Sequence, residues 1–363
     1  MKKNNVLLII GGMNRGGSET YLINIARRID KSKFNLIFVC HDNIVYDYEQ
    51  EIISLGFSMY KIGALNIRNI LSYANKIREI IKKENIDVVE THTYLSSFLP
   101  LGVAKIMQVP LRIAHSHTAK NEANQQISRR IYIIISKYLI NIFSNIKVSC
   151  GNQAGLSLFG NNYYTIIPNS INTDTFRFSE QNRKDIRKKL GLDKNTILVG
   201  NVGRIEKVKN HNFMLELLQY SKSIGKDIKL LLVGDGVLRE SVYIQAKNMK
   251  LQNNIIFYGK SDNVAPLYSA MDVFIMPSFW EGVPVAAIEA QANGLKCIFS
   301  DRIDRSTKLL TSTKFISIDA GPECWVELIA PRVLPQKDIN LKESNHDINI
   351  TIHSVERLYT GQL

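Results

Sequence analysis

Residues 273–290 read VFIMPSFWEGVPVAAIEA, and this segment decides how the rest of the chain is interpreted. The apolar run at its start has the length of a buried strand, and Pro284 suits the first position of a helix, where its missing N–H costs nothing. The turn between them therefore leads into a helix N-terminus. Backbone N–H groups around Gly282 and Val283, together with the positive end of the helix dipole, can hold an anion such as a diphosphate.

Two glutamates belong to this segment. Glu281 lies in the turn and Glu289 lies in the first turns of the helix, so two carboxylates eight residues apart can face one cleft. The spacing alone occurs often by chance, but the strand, the turn and the proline-started helix around it make the segment specific. Each glutamate also has a plainer explanation, because an acidic side chain near a helix start complements the helix dipole.

On both sides of this segment, short apolar runs alternate with longer amphipathic stretches, which is the pattern of parallel sheets covered by helices. The predicted strands are 5–10, 35–40, 58–60, 88–91, 112–115, 145–149, 196–202, 229–233, 255–258, 273–276, 296–300 and 315–318. The predicted helices are 18–28, 68–84, 95–107, 211–223, 237–249, 264–270, 284–293 and a short terminal helix at 350–359. The fold class is therefore α/β.

The chain has 363 residues, which is longer than a single hydrophobic core usually grows. Pro168 follows a short apolar strand, and the strand and helix pattern restarts after it. We predict two Rossmann-like domains, 1–168 and 169–363, with a ligand cleft between them and a terminal segment that can pack back toward the first domain.

Composition narrows the class of protein. With 45% hydrophobic and 22% charged residues, the chain is that of an ordinary folded protein. The four cysteines are too far apart for a metal site or a disulfide framework. The basic start and the apolar residues 6–10 lead into a glycine turn and not into a longer apolar region, so we expect a cytoplasmic first strand rather than a signal peptide. No apolar run reaches the roughly 20 residues that span a bilayer.

The net charge of +13 is concentrated in residues 1–168, which hold 20 Lys and Arg against 11 Asp and Glu. This excess favours an anionic partner, and the absence of helix-turn-helix, zinc-finger or RRM signatures argues against nucleic acid. Residues 128–147, SRRIYIIISKYLINIFSNIK, are basic at both ends with aromatic residues among isoleucines, as in an interfacial helix on an anionic membrane. A core helix with snorkelling ends is the alternative, and the sequence leaves both open.

Further candidate residues follow other predicted strands. Gly16 and Gly17 precede a helix, so their N–H groups can face a ligand. Gly234 and Gly236 permit close backbone approach at a strand end, although a structural turn explains them equally well. His115 and His117 are two apart at the end of a strand, so both can face the same way, whereas His92 reads as structural.

These segments together resemble family 4 of the retaining glycosyltransferases with the GT-B fold, whose signature is the Glu-x7-Glu segment. Residues 203–209, GRIEKVK, are similar to the Gly-Arg…Lys motif of that family. Residues 233–236 are similar to its next strand-end loop, and residues 16–19 are similar to its N-terminal glycine loop. Residues 168–172, PNSIN, resemble its hinge segment, with Ser170 and Asn172 as departures. After Asp301 the chain departs from the common glycine-containing loop and resembles a branch of capsule and exopolysaccharide enzymes.

The resemblance implies two Rossmann-like lobes facing a central cleft and a retaining glycosyltransferase of the hexosyltransferase class. Arg204 and Lys209 would neutralise the diphosphate of a nucleotide-sugar donor, UDP-linked by expectation, and the physics agrees because transfer builds negative charge on the departing phosphate. The implied catalytic residues are Glu281, Arg204, Lys209 and His117. The implied donor-binding residues are Gly16, Gly17, Gly234, Gly236, Lys260, Gly282, Val283, Pro284 and Glu289. His115 is placed on the acceptor side.

We expect no cofactor and no metal. Zinc needs three or four ligands, and a His-x-His pair with no further histidine, cysteine or carboxylate cluster falls short. No two aspartates are two residues apart, so an Asp-x-Asp metal motif is absent.

The expected acceptor is a lipid-linked or free oligosaccharide at the inner face of the cell membrane, in bacterial surface polysaccharide assembly. Two alternatives stay open. A nucleotide-sugar epimerase would convert the sugar without an acceptor, and a non-catalytic two-lobe binding protein would show no turnover.

Overall fold

The computed structural model describes residues 3–66, 68–118, 126–333 and 341–362. The chain divides into two compact units, one formed by Met1–Ser170 with Ser344–Leu363 and the other by Ile171–Glu343. The boundary thus lies two residues beyond the position predicted from Pro168. The terminal residues 344–363, placed in the second domain by the sequence, belong to the first unit.

The first unit contains a seven-stranded sheet in the order β3-β2-β1-β4-β5-β6-β7. All its pairs are parallel. This is the Rossmann order. Strands β1 to β3 are added toward one edge of the sheet, and strands β4 to β7 are added toward the other edge, starting beside β1. Its strands are β1 (Asn4–Ile9), β2 (Phe34–Cys40), β3 (Ser58–Lys61), β4 (Val88–Thr91), β5 (Leu111–Ser116), β6 (Ile146–Ser149) and β7 (Thr165–Ile166). Its helices are α1 (Gly17–Arg28), α2 (Glu49–Ser54), α3 (Ile70–Lys83), α4 (Phe98–Ile106), α5 (Ile127–Phe143), α6 (Asn152–Phe159) and α13 (Ile348–Tyr359), with a 3₁₀ turn at Tyr94–Ser97.

The second unit repeats this plan with a six-stranded parallel sheet in the order β10-β9-β8-β11-β12-β13. Its strands are β8 (Ile197–Val202), β9 (Ile228–Val233), β10 (Ile255–Gly259), β11 (Val273–Met276), β12 (Lys296–Ser300) and β13 (Lys314–Ile316). Its helices are α7 (Glu180–Lys189), α8 (His211–Ser223), α9 (Arg239–Asn248), α10 (Ala265–Ala270), α11 (Val285–Ala292) and α12 (Gly321–Leu328). Short 3₁₀ turns lie at Thr173–Phe176, Lys207–Lys209, Arg305–Thr307, Ile318–Ala320 and Leu341–Glu343. The predicted α/β class with two Rossmann-like units is therefore confirmed.

Apolar strands buried on both faces hold each unit together. In the first unit one face of the sheet packs on α1 and on α13, whose Val355 and Leu358 are fully buried among β1 and β2 residues. In the second unit β8, β9 and β11 pack on α8 and α12 around the buried Trp325. Burial of large side chains on this scale is the dominant favourable term in folding.

Two local predictions are wrong. Pro284 does not begin the helix; its φ and ψ of −72° and 130° are extended, so it is the N-cap and α11 begins at Val285. The apolar segment 128–147 is not one helix, because α5 ends at Phe143 and residues from 146 onward form β6. None of the helices in the described part of the chain has the length and apolar character needed to cross a bilayer.

Candidate functional site

In the second unit, the turn between β11 and α11 is fixed by two neighbouring loops. The Phe279 N–H donates to the Val208 carbonyl over 2.9 Å, which ties the turn to the loop after β8. On its other side, Glu281 forms a parallel bridge with Ile303, and Thr307 Oγ1 donates to the Gly282 carbonyl over 3.4 Å. Residues 302–307, where the sequence departs from the family pattern, therefore support the turn that carries Glu281.

Glu281, in this turn, forms an ion pair with Lys209, which lies in the loop after β8. Lys209 Nζ lies 2.7 Å from Glu281 Oε1, and the two side chains are only 14% and 18% exposed. Lys209 ends the 3₁₀ turn Lys207–Lys209, and its Cε lies 3.2 Å from a Cβ built on Gly203, so the glycine gives the lysine stem its room. Two residues that sequence analysis selected separately are thus in direct contact.

Arg204 does not join that pair. Its side chain is 60% exposed, and Nη1 lies 3.4 Å from Glu206 Oε1, a loose surface contact. Such a pair contributes little to stability. Arg204 is therefore an exposed cation just after β8, whereas Lys209 is paired with Glu281.

Glu289 occupies a different environment from Glu281. It lies on α11, is buried, and its Oε2 accepts a hydrogen bond of 2.7 Å from the Tyr268 hydroxyl. Burial raises the pKa of Glu289 to about 7, while the bond from Tyr268 opposes that rise. Near neutral pH this carboxyl therefore exchanges between its acid and ionised forms.

The structure explains why residues 234 and 236 are glycines, which the sequence left open between a ligand site and a structural turn. A Cβ on Gly234 would stand 2.1 Å from the Gly203 carbonyl oxygen, and one on Gly236 would stand 2.4 Å from the Ile205 oxygen. Gly234 also has φ of 135°, which favours glycine. The two glycines let the loops after β8 and β9 lie against each other, and exposed Lys260 follows Gly259 at the end of the neighbouring strand β10.

In the first unit, Gly16 and Gly17 open helix α1. Gly16 is the N-cap, without a side-chain cap, and Gly17 is the first helical residue, one position before the predicted start at residue 18. The Glu19 carboxylate lies across this N-terminus, because it accepts a 2.9 Å bond from Ser18 Oγ and would contact a Cβ on Gly16. An anion at this helix end would therefore meet the Glu19 carboxylate as well as the free N–H groups.

The histidines of the first unit form a buried network. His115 Nδ1 lies 2.8 Å from Glu90 Oε1, and the Tyr359 hydroxyl donates to Glu90 Oε2 over 2.5 Å. His92 Nδ1 lies 2.8 Å from His117 Nε2. Burial lowers the pKa of all three histidines, that of His115 to about 3, so each imidazole is neutral at neutral pH. The expectation that no third side chain joins His115 and His117 is wrong, because His92 lies beside both.

Sequence analysis missed several of these residues. Tyr359 and Tyr268 carry no motif, and His92 was read as structural. Glu90 did carry a signal, since it is an acidic residue inside the buried strand β4 and such residues are almost never fully buried without a partner. Reading that charge as functional would have pointed to the network.

Comparison with known proteins covers both units. Residues 15–175 match the family model described as Glycosyltransferase Family 4, and residues 182–329 match the model described as Glycosyl transferases group 1. EpsF of Bacillus subtilis (strain 168), which its name classes as a glycosyltransferase, is 32% identical over 336 residues, covering 90% of this chain and 86% of EpsF. The capsular polysaccharide biosynthesis glycosyltransferase CapH of Staphylococcus aureus is 26% identical, covering 98% and 99% of the two chains.

A further relative and a solved structure are also similar to this chain. The UDP-Gal:alpha-D-GlcNAc-diphosphoundecaprenol alpha-1,3-galactosyltransferase of Escherichia coli is 25% identical, covering 75% of this chain and 73% of its own. The crystal structure of Anabaena HepE in complex with UDP and glucose superposes with a TM-score of 0.80 at 14% identity, covering 99% of this chain and 100% of HepE. At that identity the likeness speaks to the fold alone.

Proposed function

We propose a function for this chain, which belongs to glycosyltransferase family 4, has its GT-B fold and is a glycosyltransferase of capsular or extracellular polysaccharide biosynthesis. It transfers a sugar from a nucleotide diphosphate donor, UDP-linked, to a lipid-linked saccharide with retention of the anomeric configuration. The observation that carries the proposal is the Lys209–Glu281 ion pair, which joins the loop after β8 to the turn between β11 and α11.

Lys209 and Arg204 are the cations that hold the donor diphosphate. Glycosyl transfer places negative charge on the departing phosphate, and a fixed cation in a partly buried position stabilises that charge more than one in water. Lys209 is held by Glu281 and acts as a point charge, whereas exposed Arg204 is free to turn and bind phosphate oxygens bidentately. Glu281 then hydrogen-bonds the hydroxyls of the donor sugar.

Glu289 binds the ribose hydroxyls of the nucleotide. In its ionised form a carboxylate accepts from two hydroxyls, and the pKa of about 7 keeps that form available at neutral pH. Tyr268, which already donates to one of its oxygens, fixes the direction of the carboxyl group. Gly282 and Val283 lie just before α11, where backbone can approach the donor phosphates, and Pro284, which has no N–H to donate, is the N-cap that leads the chain into the helix.

Retention follows if the acceptor attacks the face from which the nucleotide departs. The departing phosphate takes the proton of the acceptor hydroxyl, so no protein nucleophile is needed and Glu281 is not given that role. His117, a neutral imidazole, orients a substrate hydroxyl, with His115 behind it. The chemistry needs no metal ion.

The acceptor is lipid-linked, and α5 faces the membrane that carries it. The name of the Escherichia coli relative specifies a diphosphoundecaprenol acceptor. Six apolar residues on one side of α5 are between 42% and 77% exposed, namely Ile127, Ile131, Ile134, Ile135, Tyr138 and Ile142. Arg129 and Arg130 are exposed beside them, which suits an anionic lipid surface at the inner face of the cell membrane.

Mass spectrometry of the purified protein with a panel of UDP-, GDP- and ADP-sugars, with and without a bacterial lipid extract, tests this function. Release of UDP from one donor, increased by lipid and accompanied by a glycosylated lipid, is the expected result. Isomerisation of a sugar nucleotide without lipid would indicate an epimerase instead. No release from any donor would indicate a binding protein.

Variants of the ion pair test the site itself. Lys209→Met and Glu281→Gln should each lower kcat by about 100-fold or more, the size of effect seen when one group that stabilises developing charge is removed. Lys207→Met is the matched control, since Lys207 is exposed in the same 3₁₀ turn. A Glu281→Gln enzyme with unchanged activity would refute the assignment.

A further inference from the structure

Three histidines meet on one face of the first sheet. In the parallel pair of β4 and β5, Glu90 is opposite Ile113 and Thr91 is opposite Ala114. That register places His92 level with His115, and His117 follows two residues later on the same face. The rings of His115 and His117 stack with centroids 4.2 Å apart, and the His92 centroid lies 5.1 Å and 5.0 Å from them.

Hydrogen bonds assign the protons on these rings. Burial raises the pKa of Glu90, and the Tyr359 hydroxyl donates to its Oε2. In its ionised form Glu90 can only accept, so His115 then carries its proton on Nδ1 and has a lone pair on Nε2. His92 Nδ1 and His117 Nε2, 2.8 Å apart, share a single proton. This arrangement leaves His92 Nε2, His115 Nε2 and His117 Nδ1 buried with no hydrogen-bond partner. Three such atoms in one cluster are unusual in a folded protein, where buried polar atoms are almost always satisfied.

We propose that His92, His115 and His117 form a binding site for a divalent transition-metal ion of the zinc class. One nitrogen from each ring is available within 4.8 Å of the other two. His115 offers the unpartnered Nε2, whereas His92 Nδ1 and His117 Nε2 exchange their mutual hydrogen bond for bonds to the ion, and the proton between them moves to the far nitrogen of its own ring. Around a tetrahedral zinc ion such nitrogens lie about 3.3 Å apart, so the rings turn toward a common centre from their present spacing of up to 4.8 Å.

The residues behind the histidines have the arrangement of an outer ligand shell. Glu90 Oε1 accepts from His115 Nδ1 at 2.8 Å and so orients that ring, and it lies 3.7 Å from His92 Nε2, too far for a hydrogen bond. Asn169 lies beside His117, the third ring, and interacts with it. Metal-bound imidazoles usually direct their second nitrogen at such a carboxylate or carbonyl group. With the ion bound, His115 has a partner at both ring nitrogens, and the second nitrogens of His92 and His117 are left to Glu90 and Asn169 beside them.

The ligand chemistry selects the class of ion. Neutral imidazole nitrogens suit Zn²⁺, Co²⁺, Ni²⁺ and Cu²⁺, whereas Mg²⁺ and Ca²⁺ require oxygen ligands. Three protein ligands leave a fourth position for water. The inference goes beyond the proposed function, which uses no metal, and bound Zn²⁺ would occupy the lone pair of His117 and slow transfer.

Cobalt titration of the full chain tests the site. The protein, without an affinity tag and stripped with EDTA, is titrated with Co²⁺ and followed by the visible d–d absorption of the four-coordinate ion. About one equivalent should bind, and Zn²⁺ should displace it. Neither donor nor acceptor is present, so the result is independent of whether the proposed transfer reaction is correct.

Variants identify the ligands. His92→Ala and His117→Ala should each abolish the absorption while keeping the wild-type circular dichroism, and Glu90→Gln should weaken binding by about 10- to 100-fold. His353→Ala, which removes an exposed histidine of α13 in the same unit, should bind as wild type. Absence of stoichiometric binding to the wild-type protein, or binding that persists in both histidine variants, would overturn the proposal.

Discussion

Glu289 links the stability of the second unit to pH. The buried carboxyl has a pKa of about 7 in the folded protein, against an ordinary value of 4.5 for a glutamate in water. Between these values the folded protein holds a proton that the unfolded chain has released, so the free energy of unfolding falls as the pH rises from 4.5 to 7. The loss amounts to about 3 kcal/mol. Glu289→Gln should remove this slope, leaving the variant more stable than wild type at about pH 8 and similar to it at about pH 4.

Urea denaturation across this pH range measures the effect. Gln can still accept the hydrogen bond from Tyr268, so the variant isolates the ionisation from the contact. Glu240→Gln, on the exposed side of α9, is the control and should keep the wild-type slope. If the free energy of unfolding changes with pH in the same way for the wild-type and Glu289→Gln proteins, the assignment of the pH dependence to Glu289 is wrong.

Single residues also show where sequence reasoning stops. The motif places Arg204 and Lys209 together, yet Lys209 is held by Glu281 while Arg204 extends into solvent. The spacing along the chain predicts that both residues lie in one loop. It does not predict where a long side chain points, because that depends on neighbours from other loops. Glu281 and Glu289 differ for the same reason, since their partners, Lys209 and Tyr268, come from other parts of the unit.

At the scale of elements, the loops after β8 and β9 depend on Gly234. Alanine at 234 would place its Cβ 2.1 Å from the Gly203 carbonyl oxygen, at a φ of 135°. Because both partners are backbone, neither can move away cheaply, and we expect a loss of roughly 3 kcal/mol or more in the free energy of unfolding. Urea denaturation measures this loss.

Gly225→Ala is the control for the alanine substitution at position 234. Gly225 has φ of 71° but nothing within 4 Å of the added Cβ. Only the backbone conformation opposes the substitution, at about 1–2 kcal/mol. Equal losses at 225 and 234 would show that the close approach of the two loops does not matter.

Helix α5 is the element that we expect to touch the membrane. It buries Ile133, Ser136 and Ile140 against its own unit and exposes an apolar stripe on the opposite side. Ile134→Glu places a charge in the middle of that stripe and should weaken binding to phosphatidylglycerol vesicles by about 10-fold or more, with little effect on stability.

Vesicle sedimentation at two salt concentrations tests this surface. Binding of the wild-type protein should weaken as salt rises, because basic residues beside the stripe contribute. Leu71→Glu changes a similarly exposed apolar residue on α3 of the same unit and should bind as wild type. Similar binding of the Ile134→Glu and Leu71→Glu proteins would contradict the role of α5.

The elements themselves were largely predictable because parallel strands buried on both faces read as short continuous apolar runs. Strands β4, β11 and β12 have the predicted bounds. Helices α2, α6, α7 and α12, of 6, 8, 10 and 8 residues, were missed. Short helices show little helical period, but α10 and α11, of 6 and 8 residues, were predicted, so length alone does not decide which helices the pattern reveals.

At the scale of the whole molecule, the last residues belong to the unit formed by the first ones. Tyr359 accepts from Asn4 Nδ2 through its carbonyl oxygen and donates to Glu90 through its hydroxyl, while Glu356 accepts from the Asp30 N–H. The sequence predicts a terminal helix and its possible return to the first domain, but not the residues that it contacts there, because an amphipathic pattern shows that a face is buried and not what buries it. Contacts between residues so far apart along the chain are set by the complete fold.

Truncation after Glu343 tests this dependence. It removes five buried side chains from the core of the first unit, namely Ile348, Ile352, Val355, Leu358 and Tyr359. At about 1.5–3 kcal/mol each, their burial rivals the entire stability of a typical domain. In hydrogen exchange, β1 and β2 should therefore lose protection in the truncated protein, whereas β8 and β9 of the second unit keep theirs. Ile350→Ala, on the exposed side of α13, should leave both units protected. Unchanged exchange of β1 and β2 after truncation would mean that α13 is dispensable for the first unit.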